Sequence, residues 1–228
     1  MKRSVRILLL IVPLALLATA CMPEPSLRSD LFLDDNSLIS GEPCGAPCWN
    51  GITPGVTSWT DATAIVQADA NFEGFETNAE GGLQQAVWQK AGSGQYCCRL
   101  IADDTEGALI SYIFLALSSP NIIVDNVLEV HGDPTYVTTF PFTSAESVVQ
   151  LIYPDVPMVV SALVGDSNSS LLANSDIVAV LYMDQTQMDL ILQTTELKAW
   201  AGYQSYGAYD QGTPVITPAM TLTPPPEQ

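Results

Sequence analysis

The sequence predicts an α+β fold in which short helices pack on antiparallel β-meander sheets, and it suggests two tandem helix-plus-meander lobes. Two helical patterns are each followed by several β-prone runs, which Gly, Pro, Asp or Asn residues separate. An apolar fraction of 47 % in 228 residues is enough for a sizeable core. The net charge of −18 excludes direct nucleic-acid binding and polybasic adhesion to anionic membranes, because like charges repel.

The amino terminus has the pattern of an export signal. Three cations in the first six residues precede an apolar run over 7–18, which is shorter than the roughly 20 residues of a membrane-spanning helix. We therefore predict a signal peptide over 1–20. The small residues before Cys21 resemble a bacterial lipobox, in which the cysteine becomes the acylated first residue of a membrane-anchored lipoprotein. An ordinary signal-peptidase site that releases an unanchored protein is the alternative.

Composition divides the rest of the chain. Residues 21–41 are polar and contain prolines, so we expect a lipid-anchored flexible tether. Residues 212–228 are rich in Pro and Thr, which favour neither a helix nor an interior strand, so we expect a disordered tail. The folded part is assigned to a first lobe over 42–118 and a second lobe over 119–211.

The first lobe begins with a predicted helix over 58–70. Ser58 and Asp61 have the spacing of a capping box, and Ile65 and Val66 follow at helical spacing. Glycines and acidic residues then separate three β-prone runs. These runs predict a meander with strands over 84–90, 96–102 and 109–117.

The second lobe repeats this order. Asn121 is expected to cap a short helix that ends at Gly132, before Asp133 and Pro134. Runs rich in Val, Ile, Tyr or Phe predict four strands, over 136–142, 148–153, 158–164 and 177–183. A last short helix is predicted over 185–193.

Two short motifs resemble a known family. The first motif is Gly51, Ile52 and Thr53, before the first helix, and the second is Gly132, Asp133 and Pro134, after the second helix. Together they resemble the Gly-hydrophobic-Thr and Gly-x-Pro signature of BamE/SmpA-like lipoprotein modules. That family shares an α+β architecture with β-lactamase inhibitor proteins, so the resemblance implies helices packed on one face of an antiparallel sheet. The segment over 46–55 also resembles one found in bacterial lipoproteins.

Four cysteines remain beyond Cys21, and an even number in an exported chain predicts disulfide bonds. A bond between the adjacent Cys97 and Cys98 needs a strained peptide. We therefore expect each of them to pair with Cys44 or Cys48 and to fasten the start of the domain to the second strand. A zinc site and a redox pair are alternatives, but both favour a Cys-x-x-Cys spacing that the chain lacks.

Residue types suited to catalysis are few. His131 is the one histidine and is expected at a helix carboxyl end, and no Gly-x-Ser-x-Gly elbow occurs. Asp166, Asn168 and Ser170 alternate like the first ligands of a calcium loop, but the glycine and the closing glutamate of such a loop are missing. We therefore predict no catalytic residues, no metal site and no cofactor.

Aromatic residues recur every third position near the carboxyl end. They are Trp200, Tyr203, Tyr206 and Tyr209, and interspersed glycines argue against a helix there. Exposed, they would form a binding strip for a sugar or a partner protein. The alternative is that this segment packs over the sheet and covers it.

We interpret the chain as a non-catalytic, extracytoplasmic lipoprotein of the bacterial cell envelope that acts as a protein-interaction or assembly module. Its expected contacts are the membrane, through the lipid anchor, and an envelope or extracellular protein. The alternative class is a glycan-binding or small-ligand-binding protein, with or without calcium. A third hypothesis, inhibition of an exported hydrolase, depends on the fold resemblance alone.

Overall fold

The computed structural model describes residues 26–118 and 122–216, and within these ranges it contains one antiparallel sheet of nine strands and five short helices. The fold is α+β, as predicted, with the sheet predominating. The strands are β1 (Phe72–Glu80), β2 (Leu83–Lys90), β3 (Tyr96–Asp103), β4 (Ile110–Ala116), β5 (Tyr136–Pro141), β6 (Ser147–Tyr153), β7 (Met158–Val164), β8 (Ile177–Met183) and β9 (Lys198–Ala199). The helices are α1 (Ser37–Ser40), α2 (Trp59–Ala68), α3 (Val124–His131), α4 (Gln185–Thr194) and α5 (Tyr206–Asp210).

Two meanders are joined into a single sheet. The strand order is β1-β2-β3-β4-β8-β7-β6-β5-β9. The first meander, β1 to β4, meets the second, β5 to β8, where β4 pairs with β8 from Tyr112↔Met183 to Ala116↔Ala179. Each meander follows its own helix, α2 or α3. The strands of the two predicted lobes therefore share one continuous sheet.

The hydrophobic core lies on both faces of the second meander. Val149, Leu151 and Val160 belong to the main buried cluster on the first face. On the opposite face, α4 contributes Met188 to a smaller cluster that includes Met183. Strands β6, β7 and β8 are buried on both faces for this reason, which explains their nearly continuous apolar sequences.

Residues 26–41 pack against the domain and differ from the predicted flexible tether. Leu33 and Leu38 are buried, and Leu33 forms a parallel bridge with Leu117 after β4. The ring of His131 lies with Nε2 2.7 Å from the carbonyl oxygen of Leu38. Two apolar side chains, Leu33 and Leu38, thus attach a mostly polar segment to the core. The average composition of the segment does not reveal this contact.

Three of the five described helices, α2, α4 and α5, begin after a residue whose side chain caps the helix, whereas α1 and α3 have no such cap. The hydroxyl of Ser58 accepts a hydrogen bond from the backbone N–H of Asp61 at 3.2 Å, so α2 begins where the capping box predicted. The prediction that glycines exclude a helix near the carboxyl end is wrong. Ser205 caps α5, and Gly207 lies inside that helix. A short, capped helix packed on a sheet tolerates the roughly 1 kcal/mol that a glycine costs.

Candidate functional site

The most open structural element is the outer strand β1. It pairs with β2 from Phe72↔Lys90 to Glu80↔Leu83, and no other described strand pairs with its outer side. Seven of its nine residues are exposed. The opposite edge differs, because β9 has two residues and Leu197, just before it, pairs with Ile216. The long free edge of the described sheet is therefore β1.

The position of β1 follows from two aromatic side chains and one turn. Phe72 and Phe75 are partly buried and pack against the main core, while the residues around them face water. Gly81 and Gly82 both have positive φ, of 65° and 81°, in the two-residue connection to β2. Two such angles define the turn that matches the twist of a hairpin. A Gly-Gly pair directly before the run predicted as a strand over 84–90 was the sequence signal for a hairpin and hence for β1, a strand that the sequence analysis does not include.

Carboxylates line the β1 edge. Glu73, Glu76 and Glu80 are exposed along the strand. The Glu73 carboxylate accepts a hydrogen bond from the backbone N–H of Gly92 at 2.9 Å. A hydrogen bond with Glu76 raises the pKa of Tyr96. The edge is thus acidic along most of its length.

A cleft adjoins the start of β1. Its volume is ≈ 490 Å³, and its lining includes Phe72, Asp69 and Lys90. Asp35, also in the lining, accepts hydrogen bonds at 2.6 Å from the indole N–H of Trp49 and from the backbone N–H of Ser37. The polar atoms of Asp35 therefore stabilise the cleft wall.

The cysteines form two local disulfides, Cys44–Cys48 and Cys97–Cys98. The expected long-range pairing between the two regions is wrong. Trp88 pairs with Cys98 and Gln89 pairs with Tyr96, so Cys97 is the extra residue of a β-bulge. The bulge directs two consecutive side chains into the core, where both cysteines are buried. Adjacent sulfur atoms can therefore meet, and neither disulfide fastens the start of the domain to β3.

The predicted aromatic binding strip does not form as one exposed surface. Tyr206 and Tyr209 are buried in the main core. Trp200 is partly buried and stacks on Tyr209 with a centroid separation of 6.2 Å. Tyr203 is 44 % exposed and donates a hydrogen bond to Asp125. The segment mainly covers the sheet, because α5 turns two of the four aromatic rings of the segment, Tyr206 and Tyr209, inward.

The other candidate residues have structural contacts. The Asp166 carboxylate accepts hydrogen bonds from the Ser169 hydroxyl and the Asn168 backbone, which lower the pKa of Asp166. These contacts form a turn in the loop before Ser170. Among the described residues, no group of three or more His, Cys, Asp or Glu side chains is placed to hold a metal ion.

The predicted signal peptide over 1–20 and the lipidation residue Cys21 lie outside the described residues, as does the part of the tail over 217–228. None of the described helices has the length and apolar content needed to cross a membrane.

Comparison with protein-family models, with curated proteins and with solved structures finds no match to this chain.

Proposed function

We propose that this protein is a non-catalytic lipoprotein of the bacterial cell envelope, anchored through Cys21, that binds an extended basic segment of another envelope protein. The observation that carries the proposal is the long exposed edge of β1. An edge strand presents unpaired backbone N–H and C=O groups, and an extended peptide pairs with them as an added strand.

The charge of the edge selects the partner. Three glutamates lie along β1, and the whole chain has 25 acidic against seven basic residues. Like charges opposite each other on paired strands are destabilising, so a second copy of this chain is a poor partner. Opposite charges contribute roughly 0.2–1 kcal/mol for each pair. A strand with Lys or Arg at alternate positions therefore fits this edge.

Peptide binding tests the proposal. The probe is a fluorescein-labelled peptide of alternating Lys and Val, titrated with the full chain and followed by anisotropy. The double variant Glu76→Lys, Glu80→Lys reverses the charge of the edge, and we expect it to weaken binding at least tenfold. The control is Glu129→Lys, Asp155→Lys, which changes the net charge equally at exposed positions of the second half. If both double variants weaken binding equally, the effect is due to the net charge of the protein, and the β1 edge is not the binding site.

The tandem organisation extends this proposal. We propose that α2 with β1 to β4, and α3 with β5 to β8, are two related lobes similar to BamE/SmpA-like modules. The repeated order of one helix and four antiparallel strands supports this relationship. In that case the two lobes join through their last strands, β4 and β8. Their first strands, β1 and β5, lie towards the outer edges, where β9 pairs with part of β5 and no described strand pairs with the outer side of β1.

A second candidate function is binding of a glycan or another small ligand in the ≈ 490 Å³ cleft beside Phe72. The lining combines an aromatic ring with carboxylates and Lys90, a combination that suits polar ligands with an apolar face. A ligand that binds the native state raises the melting temperature. A thermal-shift screen with sugars, with and without calcium, tests this candidate, and an unchanged melting temperature throughout would eliminate it.

A further inference from the structure

We propose that the anchored domain has a fixed orientation, with the turn over 142–146 towards the bilayer and the Phe140 and Phe142 side chains in contact with the lipid interface. This inference rests on the proposed lipid anchor at Cys21. It depends on the contacts that hold Ser26, Leu27 and Arg28 on the domain and on how few residues separate them from Cys21.

The first described residues are attached to the turn between β5 and β6. The Glu146 carboxylate accepts hydrogen bonds from the Ser26 hydroxyl at 2.8 Å and from the backbone N–H of Leu27 at 2.9 Å. Arg28 forms an ion pair of 2.6 Å with Asp176, just before β8. Three consecutive residues are therefore held on one end of the sheet, which we call the anchor end.

Covalent geometry limits the distance from this end to the lipid. Four residues, 22–25, lie between Cys21 and Ser26. Five Cα-to-Cα steps span at most about 18 Å when fully extended. An acylated Cys21 lies at the membrane surface, so the anchor end lies within that distance of the headgroups. The opposite end of β6, seven residues away, lies about 24 Å further along the strand direction.

The anchor end carries apolar side chains suited to a lipid interface. The backbone N–H of Phe142 donates to the Glu146 carbonyl oxygen at 3.1 Å, so Phe142 lies directly across the hairpin from the residue that holds Ser26 and Leu27. Phe142 is 37 % exposed and Phe140 54 % exposed. Phenylalanine is among the apolar side chains that enter the boundary between headgroups and acyl chains. An acidic domain is repelled by anionic headgroups, so neutral exposed side chains such as these two rings suit contact with lipid at this end.

The orientation also bears on partner access. β1 runs from Phe72, near the anchor end, to Glu80 at the opposite end, because its partner β2 begins at Leu83 and returns to Lys90. The Lys90 ammonium donates to the Asp30 carbonyl oxygen at 3.3 Å, which places the end of β2 beside the docked amino-terminal segment. The β1 edge therefore extends away from the membrane, where an envelope protein can reach it.

Fluorescence quenching tests the orientation in the full-length protein, purified with its lipid and reconstituted into vesicles of brominated phosphatidylcholine. Phe142→Trp adds an indole at the anchor end, and Leu83→Trp adds one at the opposite end, at a leucine that is 48 % exposed. The emission of the unmodified chain is subtracted. We expect brominated lipid to quench the added tryptophan at position 142 at least threefold more than the one at position 83.

A second pair of variants tests the docked segment in the Phe142→Trp protein. Glu146→Ala removes the acceptor of Ser26 and Leu27, which lengthens the free chain, and we expect quenching to fall at least twofold. Glu129→Ala removes the same charge at an exposed position of α3, and we expect no change. Unchanged quenching in Glu146→Ala would overturn the role of the docked segment.

Mass spectrometry of the same preparation separates the two proposals. A chain without acyl mass on Cys21 overturns the lipid anchor and the orientation together. A lipidated chain with equal quenching at positions 142 and 83 overturns the orientation alone.

Discussion

Replacing Leu38 by alanine tests whether residues 26–41 belong to the folded domain. Leu38 is 3 % exposed in α1, a helix that contacts α3. Its carbonyl oxygen also contacts His131. A flexible tether would lose no stability when this side chain is shortened, whereas a buried leucine leaves a cavity.

The expected loss in the free energy of unfolding is about 3 kcal/mol, because leucine-to-alanine changes in cores cost about 2–5 kcal/mol through lost transfer free energy and the cavity that remains. A loss of that size lowers the melting temperature by roughly 6–12 °C in a domain of 150–250 residues. Leu31 provides the matched control, since it lies in the same segment and is 46 % exposed. Leu31→Ala should change the free energy by less than about 0.5 kcal/mol.

The assay is urea unfolding of the full chain followed by tryptophan fluorescence. Trp49 and Trp88 are buried and stack with a centroid separation of 5.9 Å, so their emission reports on the main core. Midpoints convert to free energies when the slopes agree. If the Leu38→Ala and Leu31→Ala proteins differ by less than about 0.5 kcal/mol, the segment does not contribute to the core and the reasoning is refuted.

Three further predictions follow from local contacts. Non-reducing peptide mapping should find the 44–48 and 97–98 disulfides in separate peptides, each lighter than its reduced form by two hydrogens, whereas a peptide that joins the two regions would contradict the pairing. Burial raises the pKa of Tyr153 above its unfolded value of 10.0, so the folded state keeps a proton that the unfolded state loses, and stability falls above about pH 10 by up to about 1.4 kcal/mol per pH unit. Tyr153→Phe removes the hydrogen bond to the Gly132 carbonyl oxygen, which costs about 1 kcal/mol at pH 7. The variant should lose less stability than the unmodified protein as the pH rises above about 10. Equal pH dependence of the two free energies of unfolding, measured by urea titration, would contradict this. Gly55→Ala places a Cβ atom 3.1 Å from the Cβ of Asp184 at φ +75°, whereas Gly81→Ala meets no atom within 4 Å at φ +65°. In thermal melts the first should therefore cost more than the roughly 1–2 kcal/mol of left-handed strain expected for the second, and equal costs would exclude the contact.

Sequence reasoning succeeded where one local rule determines the structure. The strands predicted over 158–164 and 177–183 agree with β7 and β8, because runs composed almost entirely of β-branched and other apolar residues are bounded by turn residues. α2 begins after Ser58 because that hydroxyl is in place to accept the Asp61 N–H. Each of these decisions involves neighbours within a few positions.

Prediction failed where the outcome depended on contacts between distant segments. β1 contains four charged or glycine positions in nine residues, and its strand conformation depends on Phe72 and Phe75 reaching the core that other strands provide. For the aromatic segment the sequence left exposure and packing over the sheet open, and the structure shows packing, because α5 turns Tyr206 and Tyr209 inward onto the sheet. The Gly81–Gly82 pair signals the hairpin turn locally, but the packing contacts of the rings have no signature in the local sequence.

By itself, the sequence determined the acidic charge, the order of a helix followed by a meander in each half, and local features such as the Ser58 cap of α2, because these depend on residue type and short spacing. Only the tertiary structure decided that β4 pairs with β8 to make one sheet, that β1 lies at one free edge, and that β9 pairs with part of β5 at the other. It also decided that the bulge at Cys97 brings two adjacent sulfur atoms together, and that Glu146 holds Ser26 and Leu27 at one end of the molecule. Pairing, side-chain facing and docking depend on atoms far apart in the chain, and the folded backbone alone places those atoms together.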